Sequence, residues 1–173
     1  MLYYNAYTDG SFCVDDGIVH GGIVFGDENN NILSTLHVKT AHRDFTSMHN
    51  VGGEILAAWS AIFSVVSSVR EANETNGLET YQMNLVYDYE GVGKWLLGYW
   101  KANKKATQWF KSSVKAMLET VPNLKLNPIW VKGHNNVALN EVADKVAFYD
   151  MTCGGLGSPI CDLDEILATE YRI

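Results

Sequence analysis

Four acids in this chain are candidates to work together: Asp9, Glu54, Asp88 and Asp144. Asp9 sits in Tyr7-Thr8-Asp9-Gly10-Ser11, where an apolar, aromatic run reaches one carboxylate and then meets Gly-Ser. Asp88 follows a second apolar run, Tyr81 to Tyr87. Carboxylates drawn into one place repel and raise each other's pKa. Such a cluster makes physical sense around divalent cations. An all-carboxylate set, without His or Cys, suits Mg²⁺ or Mn²⁺ rather than zinc. Each acid also has a plainer reading. Asp before Gly is ordinary turn chemistry, and an acid in a first helical turn is favoured by the macrodipole. The case rests on whether the chain brings the four together.

The elements that must do so can be read in order. Leu2 to Thr8 alternates as a strand with Asp9 at its end. Asn5, Tyr7 and Asp9 then share one face, with Tyr4, Ala6 and Thr8 on the other. Asp15-Asp16-Gly17 is a solvated turn. Ile18 to Phe25 and Asn31 to Thr40 flank the turn residues Gly26-Asp27-Glu28-Asn29-Asn30 and form an antiparallel hairpin. Ala41 to Gly53 is polar and irregular. Ile55, Trp59, Ile62, Val66 and Val69 then recur at helical spacing, with Glu54 in the first turn. Glu71 to Thr80 reads as a polar loop and Tyr81 to Tyr87 as the fourth strand. A short helix around Trp95 follows, then a helix over Thr107 to Thr120, a fifth strand over Leu124 to Val131, and a helix over Val137 to Asp150.

This order predicts an α/β layered domain with a five-stranded mixed sheet. Strands one to three form an antiparallel meander. Strands four and five lie parallel to strand one, because helical crossovers precede them. Residues 1–150 form the domain. Residues 151–173 form a tail docked on it, with a short helix near Asp164 to Ala168. Ligands in such sheets gather beyond the carboxyl ends of the parallel strands. That is where Asp9 and Asp88 fall.

Composition narrows the partners. The chain has 173 residues, 47% of them hydrophobic, and a net charge of −7. A pI near 5.1 argues against holding nucleic acid by bulk positive charge. It leaves open a site whose acids are neutralised by metal. Three cysteines without a Cys-x-x-Cys pair argue against a zinc or disulfide framework, and a reducing cytoplasm fits. No run of 18 or more apolar residues and no leader-like start are present, so neither a membrane span nor a signal peptide is expected. A monomer without an obligate protein partner is expected.

The motifs together resemble type I ribonuclease H. The matching segments are Tyr7-Thr8-Asp9-Gly10-Ser11, Asn50-Val51-Gly52-Gly53-Glu54, Tyr87-Asp88-Tyr89-Glu90-Gly91-Val92, the Trp95 to Lys105 stretch, and Trp130-Val131-Lys132-Gly133-His134 with Asn140-Glu141-Val142-Ala143-Asp144. They cover roughly Leu2 to Tyr149. The most specific piece is His134 with an Asp ten positions later.

The resemblance implies a ribonuclease H-like fold and hydrolysis of the RNA strand of RNA/DNA hybrids. It implies Asp9, Glu54, Asp88 and Asp144 as ligands of two Mg²⁺ ions, with Mn²⁺ as a substitute. Cleavage would leave 5′-phosphate and 3′-hydroxyl ends. It implies His134 as an aid to proton transfer or product release. Asn50 is the candidate 2′-hydroxyl contact, with a helix N-cap as the alternative. Gly10, Ser11 and Gly22 are candidates to let the backbone approach substrate. Trp100, Lys101, Lys104 and Lys105 are candidates to meet the DNA strand's phosphates. Two other readings stand beside this one: a non-catalytic hybrid-binding domain, and a related integrase- or resolvase-type nuclease.

Overall fold

Strand propensity and helical periodicity build the order read above, with two extensions. A computed structural model of the chain describes residues 1–133, 137–152 and 159–170. The strands are β1 (Leu2–Cys13), β2 (Ile18–Gly26), β3 (Ile32–Thr40), β4 (Tyr81–Tyr87), β5 (Leu124–Trp130) and β6 (Ile160–Asp162). The helices are α1 (Arg43–Thr46), α2 (Asn50–Asn76), α3 (Gly91–Leu96), α4 (Lys105–Glu119), α5 (Ala138–Thr152) and α6 (Asp164–Glu170). The sheet order is β5-β4-β1-β2-β3-β6. The expected meander and parallel neighbours are present: β1 pairs antiparallel with β2, and β2 with β3, while β4 runs parallel to β1 and β5 parallel to β4.

The sheet has six strands, not five. Ile160–Asp162 adds a short strand parallel to β3. Three residues carry too little alternation to read as a strand in advance. What secures them is tertiary: Leu163 and Leu167 are buried in the main core, and the Asp164 carboxylate accepts hydrogen bonds from the Ala41 N–H at 2.9 Å and from the Thr40 hydroxyl.

Two boundaries also differ. The segment 41–53 contains a short helix and the first turn of α2, so Glu54 is the fifth residue of that helix rather than part of its first turn. The segment 71–80 is not all loop, because α2 continues to Asn76. The first extension holds Gly52 and Gly53, poor helix formers, and the second is polar, so helical periodicity marks neither.

The core lies between the sheet and α2. Every residue of α2 from Gly52 to Ile62 is buried, because the helix packs on β1 and β2 on one side and on α1 and α4 on the other. The length and hydropathy of α2 would also suit a membrane span, and here that apolar surface is consumed by the fold. Trp59, Phe45 and Trp109 tie the three helices together. The Trp59 and Trp109 rings lie 4.9 Å apart, and Phe45 meets Trp109 edge-on at 5.7 Å. The opposite face of the sheet is covered by α5, which buries Val24, Leu139, Ala143 and Val146 in a second, smaller cluster. Tyr7 packs there and Ala6 in the main core, so β1 alternates as its sequence requires.

On the α5 face, His20 and His37 are buried side by side, with Nδ1 of one 2.7 Å from Nε2 of the other. Burial first, and then the neighbouring His37, push His20 down to about 4, with Asp16 pulling the other way and Lys39 adding to the depression. A histidine held below its unfolded pKa of about 6.5 contributes stability above that pH. The contribution is lost as pH falls from 6.5 through about 4. His20→Gln is therefore expected to flatten the acid loss of stability, by on the order of 2 kcal/mol between pH 7 and pH 4.5. Urea unfolding of both proteins at the two pH values checks this, and parallel losses would refute it.

Candidate functional site

The site forms where β1 and β4 stop pairing with each other. Their parallel register ends at the pair Tyr7 and Val86. Asp9 and Asp88 are each two residues beyond that pair, so the same register carries both to one level and one face of the sheet. The Thr8 hydroxyl, buried, donates to the Val86 carbonyl at 3.2 Å and pins the two strands just below the acids.

Asp9 does not sit in a turn. β1 continues to Cys13, with Asp9 opposite Gly22 and Gly10 opposite Gly21 on β2. The turn comes at residues 14–17, where Gly17 adopts φ 71° and its N–H bonds the Cys13 carbonyl. The Asp-Gly-Ser pattern thus marks the end of pairing with β4, not the end of the strand.

Glu54 reaches the same place from α2, and Gly10 makes this possible. A Cβ on Gly10 would lie 2.1 Å from the Glu54 nitrogen and 2.4 Å from the Gly53 carbonyl carbon. Helix and strand backbones therefore touch, and Glu54 is set directly over β1. One carboxylate oxygen each from Asp9, Glu54 and Asp88 lie within 4.8 Å of one another. Asp9 and Glu54 are each 6% exposed, while Asp88 is half-buried. Asp144 lies outside this triad of oxygens. It is exposed on α5, close enough to Asp9 to hydrogen-bond it.

The electrostatics follow from this crowding. Burial is the main cause that raises Asp9 to about 7. A hydrogen bond from Glu54 opposes it, and the Asp88 and Asp144 carboxylates add to it. Glu54 is also raised well above the carboxylate range, first by burial, then by Asp9 and Asp88, with a backbone hydrogen bond from Gly10 working against them. Among the described residues, the buried Oε2 of Glu54 has no hydrogen-bond partner. Three convergent carboxylates, one with a buried oxygen unmatched, form a donor set for a hard divalent cation.

The remaining expected residues fall in different places. Asn50 is the exposed first residue of α2, one turn before Glu54. It is not the N-cap. His49 holds that position at φ 52°, its ring stacked 4.7 Å from Phe12. Gly22 is buried beneath α5, where a Cβ would lie 2.0 Å from the Ala143 carbonyl oxygen. Gly10 faces α2. Both glycines therefore make room for a helix. The half-buried Ser11 runs beside Gly53 in the same contact. His134 lies outside the described residues. Its loop does pass the acids, because a Cβ on Gly133 would be 3.5 Å from Asp88 Oδ2.

Trp100, Lys101 and Lys104 line a groove of about 640 Å³ together with Val51, Tyr89 and Trp95. Trp95 is a core residue, whereas Trp100 is 38% exposed and meets Trp95 edge-on at 5.8 Å. Lys105 is exposed at the start of α4 and does not line the groove. Tyr89 is the residue that motif reading passed over. It lines the groove, packs on Trp95 with ring centroids 6.0 Å apart, and has its hydroxyl pKa raised by burial and then by Glu54. It thus joins the groove to the acids. The available signal was its place directly after Asp88.

No protein-family model and no curated protein matches the chain. Solved structures do. The ribonuclease H1 of the halophilic archaeon Halobacterium salinarum NRC-1 superposes with a TM-score of 0.60 at 19% identity, over 86% of this chain and 97% of that one. The N-terminal ribonuclease H domain of a Mycobacterium tuberculosis protein gives 0.63 at 16% identity, over 85% and 91%. LC11 ribonuclease H1, isolated from compost by a metagenomic approach and solved in complex with an RNA/DNA hybrid, gives 0.61 at 17% identity, over 86% and 99%. The chain has the ribonuclease H fold.

Proposed function

We propose that this protein is a divalent-metal-dependent endonuclease that hydrolyses the RNA strand of RNA/DNA hybrids. The observation that carries this reading is the convergence of Asp9, Glu54 and Asp88 within 4.8 Å at the strand ends of a ribonuclease H fold. A neighbour of the same fold was solved with an RNA/DNA hybrid bound. Asp9, Glu54, Asp88 and Asp144 would hold two Mg²⁺ ions. When bound, such ions supply an activated water and stabilise a leaving 3′ oxygen, which corresponds to 5′-phosphate and 3′-hydroxyl products.

The chain's own residues do the rest. Asp9 would lie at the centre of the donor set, and the burial of Asp9 and Glu54 keeps competing water away from their inner oxygens. The groove beside Tyr89 offers aromatic faces from Trp95 and Trp100 and two ammonium groups from Lys101 and Lys104. This combination attracts a phosphate backbone without reading bases, and in our reading it takes the DNA strand. Asn50, exposed one turn before Glu54, is assigned to the RNA 2′-hydroxyl. His134, in the loop after Gly133, is assigned to proton transfer.

The test is incubation with a labelled RNA/DNA hybrid, single-stranded RNA and duplex DNA, in Mg²⁺, Mn²⁺ or EDTA. The expected result is cleavage of RNA in the hybrid alone, abolished by EDTA. Binding of the hybrid without cleavage in either metal would favour a non-catalytic binding domain. Cutting of duplex DNA would favour an integrase- or resolvase-type nuclease.

A further inference from the structure

The ladder bonds that fix β4 stop at Tyr87, one residue short of Asp88. The last backbone link from the β5 side is the Val131 N–H to the Tyr87 carbonyl, at 2.9 Å. One residue further on, a side chain takes over: the Trp130 indole N–H donates to the Asp88 carbonyl at 3.0 Å. Trp130 is 53% exposed on an edge strand, so core burial does not account for so large a residue there. Its polar atom is spent on the backbone of a carboxylate in the acid triad. The chain then leaves β5 and passes Asp88 Oδ2 at Gly133.

We infer that Trp130 is a positioning residue for the metal site: through the Asp88 carbonyl it sets the direction of the Asp88 carboxylate. Outer groups that orient metal ligands commonly contribute ten- to a hundredfold to metal affinity. A hydrogen bond to main chain, rather than to the carboxylate itself, belongs at the low end. This inference rests on the reading of the acids as metal ligands, but not on the identity of the substrate.

The test measures Mn²⁺ binding to the full chain by calorimetry, without nucleic acid, for wild type and Trp130→Phe. Phe keeps an aromatic ring and removes the N–H. Expected is a roughly tenfold weaker Mn²⁺ affinity, with an unfolding temperature in EDTA within a few degrees of wild type. On hybrid, kcat falls at subsaturating Mn²⁺ and recovers at high Mn²⁺, with KM unchanged. If Trp130→Phe unfolds, replacement of Trp130 by β-(3-benzothienyl)alanine keeps the shape, again without the N–H, and the same loss of affinity is expected. Unchanged affinity in a folded variant overturns the inference, and so does a wild type that binds no Mn²⁺. A wild type that binds Mn²⁺ but cuts no hybrid, alongside a weakened variant, upholds the positioning role while refuting the proposed activity.

Discussion

Asp9→Asn is expected to abolish hydrolysis of the hybrid and, in EDTA at pH 8, to make the protein more stable than wild type. The two effects share one cause. Asp9 is the carboxylate that burial and its neighbours Asp88 and Asp144 push up to about 7. Asn is nearly isosteric but carries no charge and binds a divalent cation weakly. Bound divalent ions contribute several kcal/mol to such a reaction, and ~4 kcal/mol is roughly a thousandfold in rate. A loss of about that size or more is expected.

The sign of the stability effect follows from linkage. A carboxyl group whose folded pKa lies above its unfolded value near 3.9 takes up a proton on folding. The stability it allows is fully present below pH 4 and is lost as pH rises through about 7. Glu54 is raised as well, so it acts in the same direction. In EDTA, wild type is therefore less stable at pH 8 than at pH 5. Asp9→Asn removes one of the repelling charges and gains on the order of 2 kcal/mol at pH 8, with a smaller gain, roughly a third of that, at pH 5. Saturating Mn²⁺ reverses the order, because only wild type gains from binding. Thermal unfolding in EDTA and in Mn²⁺ at both pH values reads all four quantities. A variant with wild-type activity, or one less stable than wild type in EDTA at pH 8, would show that these acids are not the strained centre described.

Gly22→Ala is expected to cost much stability for a single added methyl. The new Cβ would lie 2.0 Å from the Ala143 carbonyl oxygen and 2.7 Å from the Ala147 nitrogen. These are backbone atoms of α5, so no side chain can rotate away and the helix itself must move. Overpacking of this kind costs about 1–3 kcal/mol and more where backbone is displaced. About 3 kcal/mol is expected here. Ala143 is adjacent to Asp144, so the shift also carries Asp144 away from Asp9. Activity should fall at least tenfold even where the variant is fully folded. Denaturant unfolding together with kcat at saturating Mg²⁺ tests both parts. A loss under 0.5 kcal/mol would mean that α5 is not seated against β2 at this point.

Gly22 also illustrates what a sequence conceals. Gly22 and its neighbour Gly21 lie inside an apolar strand, and a glycine there announces a close approach without saying by what. Backbone access for a substrate and room for a helix predict the same residue. The partner, α5, is more than 100 residues downstream. Asp9 has the same ambiguity, because Asp-Gly-Ser is equally good turn chemistry. The choice was made by Gly21 and Gly22, which pair with Gly10 and Asp9 and keep β1 extended to Cys13. β6 cannot be read locally because three residues hold no period, nor can the two ends of α2, because the first carries the helix-breaking pair Gly52-Gly53 and the last is polar.

Much of the protein was nonetheless determined locally. Alternation in β1, the helical stripe from Ile55 to Val69 and the order of strands and crossovers are short-range patterns, and they specify the layers and the parallel placement of β1, β4 and β5. The four acids, as residue types at the ends of such elements, were legible for the same reason. What only the tertiary structure decided is how these pieces touch. Glu54 lies over β1 because Gly10 lacks a Cβ, and Tyr89 joins the groove to the acids. Asp88 is held from the side by Trp130, and Asp9 is raised to about 7 by burial first and then by Asp88 and Asp144, which are remote in sequence. The physical reason is range. Periodicity and propensity act over a few residues, whereas backbone contact, burial and charge repulsion act across a few ångströms, whatever the separation along the chain.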